Sequence, residues 1–185
     1  MSCQTLPQLW LLSDARNDTV LERALSELPR GSGFVFRHHH LMDEAWVKRL
    51  KELLEIAERK EFSTLVPAGR VKCAQMHLNG VQGCIAGIYG PPDTPQAGNL
   101  PLFATAHDVT EIVAANLAGA KAVFLSPVFP SCSHPGAPSL GPERFRELAA
   151  KAEMPVIALG GMTAEKARAL CWPRWAAIGG LSPIT

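Results

Sequence analysis

The 185-residue sequence carries no excess of charge of either sign: eighteen Lys and Arg stand against seventeen Asp and Glu, leaving a formal +1 with no block of like charges. A nucleic-acid binder concentrates basic residues in a patch or stripe, so that class is excluded. Patterned cysteine is missing as well. Cys3, Cys73, Cys84, Cys132 and Cys171 are odd in number, scattered, and form no C-x-x-C pair, which speaks against a disulfide framework and against a structural zinc site. A reducing, cytoplasmic setting is expected. Long hydrophobic runs are also lacking. Met1 to Leu12 is apolar around Trp10 but has neither a basic n-region nor a small-residue cleavage site, and no later run is as long as a membrane span. Neither export nor membrane insertion is implied. What is present is a composition of 47% apolar and 19% charged residues, enough to bury a substantial core in a single domain covering 1–185.

Short apolar runs alternate with helical patterns along the chain, the signature of parallel βαβ units. Leu9 to Leu12 reads as a first strand, followed by a helix with Val20, Leu21, Ala24, Leu25 and Leu28 on one face until Pro29 and Gly31 stop it. Gly33 to Phe36 is a second strand. Asp43 can cap a helix whose apolar face holds Trp46, Val47, Leu50, Leu53, Leu54 and Ala57, and Phe62 to Val66 follows as a third strand. In the middle, Gly69 to Ala74 is too short for a good helix, Gln75 to Leu78 reads as a fourth strand, and Val81 to Asn99 is rich in Gly and Pro. Leu102 to Thr105 precedes Asp108-Val-Thr-Glu111, a capping box opening a helix that Gly119 closes.

A sixth strand, Ala122 to Leu125, leads into the Pro/Ser/Gly loop Ser126 to Gly141, of a length that in compact domains is usually functional. Pro142 starts the next helix, then come Val156 to Leu159, Gly160-Gly161, a Thr163-capped helix, and a last strand near Ala176 to Ile178. Eight runs predict a compact (β/α)₈ TIM barrel with its last helix short or missing. A partner subunit, as in a homodimer, is the suggested cover for the last strand.

Two segments carry the strongest chemical signal: Pro155-Val-Ile-Ala-Leu-Gly-Gly-Met-Thr163 and Gly179-Gly-Leu-Ser-Pro-Ile184. Each is a buried strand ending in glycines, and the loops after strands seven and eight are the habitual phosphate site of such barrels. One Gly-Gly pair could be only a tight turn; two pairs in this order favour an anion cradle.

Ser126-Pro-Val-Phe-Pro-Ser131, Pro135-Gly-Ala-Pro-Ser-Leu-Gly141 and the Pro155 to Thr163 segment closely resemble the second half of thiamine phosphate synthases and their thiazole tautomerase (TenI-like) relatives. Thr105-Ala-His107 resembles that family's Ser-x-His after strand five, and Met76-His-Leu78 its strand-four Val-His-Leu. Arg37 stands where the family has an arginine after strand two. The resemblance implies an enzyme joining hydroxymethylpyrimidine pyrophosphate to thiazole phosphate through a dissociative, carbocation-like step, with phosphorylated thiazole and pyrimidine ligands as its partners. It further implies that Gly160, Gly161, Gly180, Leu181 and Ser182 cradle the thiazole phosphate, while Arg37, Thr105, Ser131 and Ser133 face the pyrophosphate.

The departures are also specific. Synthases of the family hold Mg²⁺ on aspartates after strands three and four, but this chain has no carboxylate between Glu61 and Asp93, and Gln82 falls where the second aspartate is expected. His134 replaces the loop lysine and His39 the lysine after Arg37, so permanent charges become pH-dependent ones. The tautomerase branch has a histidine before the Val-Phe of strand six, where this chain has Pro127. Histidine supplies what remains: His107, His134 and Arg37 are the catalytic candidates, with His39 and His77 expected beside the substrate. All six histidines are placed on or near strand ends. Metal binding by His38-His39-His40 is not expected, because adjacent residues cannot all converge on one ion and no carboxylate lies near in sequence. Asp14 reads as a helix N-terminal acceptor, and Cys132 as an incidental loop thiol. A synthase, a thiazole phosphate tautomerase and a non-catalytic phosphate-binding barrel are the three functions left standing.

Overall fold

The computed structural model describes residues 6–77, 85–95, 98–131, 136 and 138–181. Eight parallel strands close into one barrel in sequence order, β1 hydrogen-bonded to β8. The strands are β1 (Leu9–Leu12), β2 (Gly33–Val35), β3 (Ser63–Pro67), β4 (Ile85–Gly90), β5 (Leu102–Ala106), β6 (Ala122–Leu125), β7 (Val156–Ala158) and β8 (Trp175–Ala177). Among the described residues the helices are α1 (Leu21–Glu27), α2 (Asp43–Arg59), α3 (Val71–His77), α4 (Val109–Leu117), α5 (Gly141–Ala149) and α6 (Ala164–Leu170), and a short turn, Gly179–Leu181, follows β8. None of these helices is long and apolar enough to cross a membrane.

Period-two alternation explains the layering. Trp10, Leu12, Val35, Leu65, Phe103, Phe124, Ile157 and Ala176 fill the barrel, while Leu11, Phe34, Val66, Val123 and Ala158 point outward into the helices. Trp10 is the largest interior side chain, packed on Phe103 and Phe124 with ring centroids 5.6 and 5.5 Å apart. Its indole N–H donates to the Pro7 carbonyl at 3.0 Å, so the buried donor is satisfied. Directly beside it in the ladder stands Gly33, where a Cβ would run into the Trp10 ring.

Most predicted elements fall where expected. Asp108 caps α4, accepting from Glu111 N at 2.9 Å, and Thr163 caps α6, accepting from Lys166 N at 3.2 Å. Asp43, in contrast, is the first helical residue of α2; Met42 holds the capping position and no side chain caps the helix there. The middle of the chain needs a larger correction. Gln75 to His77 is not strand four but the end of α3, a real helix whose Val71 and Ala74 are buried. The fourth strand is β4, inside the Gly- and Pro-rich stretch. Its glycines hid it, because glycine is depleted from strands unless another group approaches closely. That is the case at Gly87, where a Cβ would lie 2.6 Å from the Pro101 carbonyl oxygen and 2.7 Å from the Phe103 ring.

Candidate active site

Continuing the alternation past the strand ends places functional side chains over the barrel mouth. Asp14 lies two residues beyond inward-facing Leu12, and Arg37 two beyond Val35. Together with Ser13, Ala15, His38, His39 and His40 they line an open cleft of about 230 Å³ on the β1 and β2 rim. Arg37 donates Nε to the Ser13 carbonyl at 3.0 Å and Nη2 to Asp14 Oδ2 at 3.2 Å. Asp14 also takes Arg16 Nε on Oδ1 at 2.6 Å, and that hydrogen bond is the main reason its carboxyl is lowered to about 2. The carboxylate therefore belongs to a two-arginine clamp rather than to a helix start, correcting its reading as an N-terminal acceptor. Tyr89, on β4, stands beside Arg37. Burial pushes its hydroxyl above the ordinary value, with the guanidinium acting the other way.

The histidine triplet is not a solvated loop as a unit. His38 is buried, stacked on Phe36 at 4.7 Å, with Nδ1 2.8 Å from Ser13 Oγ and Nε2 2.9 Å from Asp18 Oδ1. Its own φ of +38° puts the chain into a conformation that swings His39 and His40 out to solvent. Although its ring is exposed, partial desolvation at the rim, then the guanidinium charges of Arg37 and Arg70, hold His39 below the ordinary imidazole value. His39 is thus a weak stand-in for a lysine at neutral pH.

At β7 the backbone itself forms the site. Gly160 and Gly161 adopt φ of +91° and +62°. A Cβ on Gly160 would lie 2.6 Å from Pro127 Cα, and one on Gly161 would lie 2.7 Å from the Phe129 carbonyl oxygen. The β6 loop is laced onto this turn by Val128 N to Leu159 O at 2.9 Å and Phe129 N to Gly160 O at 3.1 Å. Gly180 in turn is tucked against the Met162 carbonyl. Among the described residues the amides of Gly160 and Gly161 donate to no protein group, so two N–H groups stand unused at the tip of β7. Lys166 braces the turn from behind, its ammonium 2.9 Å from the Gly161 carbonyl and 5.1 Å from the centre of the Phe129 ring.

His107 follows β5, with Nδ1 2.8 Å from the Ser126 carbonyl oxygen and 3.3 Å from Ser126 Oγ; Thr105, two residues earlier on the strand, is half-buried. Ser131 is half-buried at the end of the β6 loop. The expected site residues Ser133, His134 and Ser182 lie outside the described residues, as does Cys132. His77 closes α3 and is not on a strand, which removes the basis for its expected place beside the substrate.

A sequence profile described as thiamine monophosphate synthase matches residues 10–182. The chain belongs to the thiamine monophosphate synthase family. A curated relative from Aquifex aeolicus (strain VF5), named "Putative thiamine-phosphate synthase 2", is 30% identical over 96% of this chain and 97% of its own length. Among solved structures, thiamine phosphate pyrophosphorylase from Pyrococcus furiosus is 21% identical and covers 93% of this chain and 85% of its own, with a TM-score of 0.73. A KDPG aldolase from Legionella pneumophila is 12% identical over 94% and 84%, with a TM-score of 0.58. These structural likenesses speak for the barrel alone.

Within this thiamine monophosphate synthase family member, the corrected strand register moves the metal question. The residues that follow β4 are Pro91, Pro92 and Asp93, so an exposed carboxylate does stand there, and Gln82 is not the position after the strand. After β3 the chain offers only Ala68, Gly69 and Arg70, the last an ion-pair partner of Asp43. One exposed carboxylate does not make the oxygen-rich environment Mg²⁺ requires. The family's usual Mg²⁺ site does not fit these residues.

Proposed function

We propose that the chain is a thiamine phosphate synthase that joins hydroxymethylpyrimidine pyrophosphate to thiazole phosphate, a reading supported by its family. In that reaction the bond from the pyrimidine methylene carbon to the pyrophosphate oxygen breaks, the thiazole nitrogen bonds to that carbon, and pyrophosphate leaves with the electron pair. The observation that carries the reading is the pair of unused amides of Gly160 and Gly161 at the tip of β7. Two N–H groups presented by successive left-handed glycines at a strand tip suit a phosphate monoester. Arg37, on the same rim and anchored by Ser13 and Asp14, is the group suited to the departing pyrophosphate. Little proton transfer is needed, so preorganised cations and amides supply the stabilisation. Thr105 and Ser131 are assigned to hydroxyl contacts with the same ligands, and Gly180 with Leu181 to the far side of the phosphate.

Pyrophosphate release with both substrates, compared with calorimetric binding of each alone, tests the proposal. Turnover requiring both substrates is the expected result. Saturable binding of thiazole phosphate with no pyrophosphate release at any Mg²⁺ concentration would sink the condensation while leaving the anion cradle.

A second reading, tautomerisation of a thiazole phosphate, is favoured by His107. The Ser126 carbonyl can only accept, so in the neutral ring Nδ1 bears the proton and Nε2 is the nitrogen left to act as a general base. Replacing His107 with Asn and finding unaltered tautomer conversion would eliminate this role.

A further inference from the structure

The β1–α1 turn and the residues after β2 bring together side chains that the phosphate chemistry does not use. Asp18, His38 and His40 each offer one donor atom, and the three atoms lie within 4.8 Å of one another. His38 Nε2 and Asp18 Oδ1 are 2.9 Å apart, and the His38 and His40 rings are 5.2 Å apart, inclined by 37°. Donors held about 2.1 Å from a common ion stand roughly 3 to 3.5 Å from each other, so a small rotation of the exposed His40 side chain brings all three into range. We propose that Asp18, His38 and His40 form a site for one divalent transition ion of the zinc or cobalt class, with coordination positions left open toward the β1–β2 cleft.

Three features beyond the donor set support it. A metal-bound imidazole donates its other N–H to a fixed partner, and His38 Nδ1 already lies 2.8 Å from Ser13 Oγ. In the tautomer whose Nδ1–H donates to Ser13 Oγ, Nε2 carries the lone pair that would ligate the ion. Second, the carboxylate is oriented from behind: Arg49 Nε approaches Asp18 Oδ1 at 2.8 Å and its Nη2 the Asp18 carbonyl at 2.9 Å. Third, that single guanidinium is surrounded by Asp18, Glu22 and Glu52, so the cluster carries more negative than positive charge and can accommodate a dication. Two of the ligands lie at positions 38 and 40, and the third is brought in from position 18 by the barrel, which is why adjacency in the triplet gave no sign of the site.

Co²⁺ is the probe. The purified full chain, stripped with EDTA, is titrated with Co²⁺ while visible absorption and equilibrium dialysis are recorded. One ion per chain is expected, with ligand-field bands and a raised melting temperature. His40→Ala and Asp18→Asn should each weaken binding by about tenfold or more, whereas His39→Ala should not change it. His40 is exposed, so its variant tests ligation without endangering the fold. Absence of saturable binding overturns the site. So does equal weakening by His39→Ala and His40→Ala, the behaviour of a loose surface chelator.

Discussion

Arg37 at the tip of β2 shares the Asp14 carboxylate with Arg16, Nη2 of Arg37 lying 3.2 Å from Oδ2 and Nε of Arg16 2.6 Å from Oδ1. One carboxylate thus positions two guanidiniums, and Arg37 is further tied to the Ser13 carbonyl. Such a clamp fixes the planar fork before any ligand arrives, so little reorganisation is left to be done when negative charge develops nearby.

Removing that fork should affect the two substrates unequally. Arg37→Ala is expected to lower kcat/KM for the pyrimidine pyrophosphate by about 10² to 10³, the range for losing one preorganised donor to developing negative charge. If thiazole phosphate binds at the β7 tip as proposed, its affinity should stay within about twofold. Arg37→Lys should recover only part of the loss, because one ammonium cannot serve both the Ser13 carbonyl and Asp14 Oδ2 while facing a ligand. Steady-state kinetics beside calorimetry reads both effects, and equal loss for both ligands would show that Arg37 only supports the fold.

Where apolar residues followed a clean period the sequence was legible: β1 and β6 have the predicted bounds, and the Asp108 and Thr163 caps sit as their spacing implies. The β7 glycines were legible for the same reason, since a buried strand leads straight into them. Legibility failed at β4, whose Gly87 and Gly90 exist because Pro101, Phe103 and Thr94 press against them. Those neighbours come from later in the chain, so no local pattern announces them. Asp18 escaped notice as a partner of His38 for a similar reason: twenty residues separate them, and only the β1–β2 pairing joins their strand ends.

The α4 cap provides a stability test remote from the cleft. Asp108 Oδ1 accepts from Glu111 N at 2.9 Å, and Glu111 Oε2 returns to the His107 amide at 2.6 Å. Asp108→Ala should cost about 1 kcal/mol of unfolding free energy, as loss of an N-cap does. Urea denaturation measures it, and the slope of free energy against urea should not change. A wild-type midpoint in the variant would mean that the cap contributes nothing here.

Gly31 and Gly161 separate backbone strain from steric conflict. Both have positive φ, +73° and +62°, but a Cβ at Gly31 meets nothing within 4 Å, while at Gly161 it would lie 2.7 Å from the Phe129 carbonyl oxygen. Gly31→Ala should therefore cost only the left-handed penalty of about 1 to 2 kcal/mol. Gly161→Ala should cost more, because the β6 loop must also retreat, and should abolish thiazole phosphate binding by disturbing the amide pair. Thermal melts and calorimetry on the two variants compare them, and retention of full ligand affinity in Gly161→Ala would count against the cradle.

Buried His38 should leave a signature in the pH dependence of stability. Burial lowers its folded value below the ordinary 6.5, with the Asp18 carboxylate opposing that shift only in part. In the window below about 6.5 the unfolded chain then binds more protons than the folded one, so stability rises with pH across it and is lost as pH falls toward the folded value. Asp18 adds a second loss at more acid pH. Burial works against its ionisation, yet hydrogen bonds from His38 and Arg49 keep its carboxyl below the ordinary 3.8, so its contribution is present above 3.8 and disappears as pH falls through the folded value. The two can be told apart by substitution. In EDTA, to exclude metal, His38→Gln should flatten the stability curve in the window below pH 6.5, while His39→Gln, at a ring on the solvent-exposed rim, should leave most of the slope. Parallel curves for wild type and His38→Gln would mean that some other group takes up the proton.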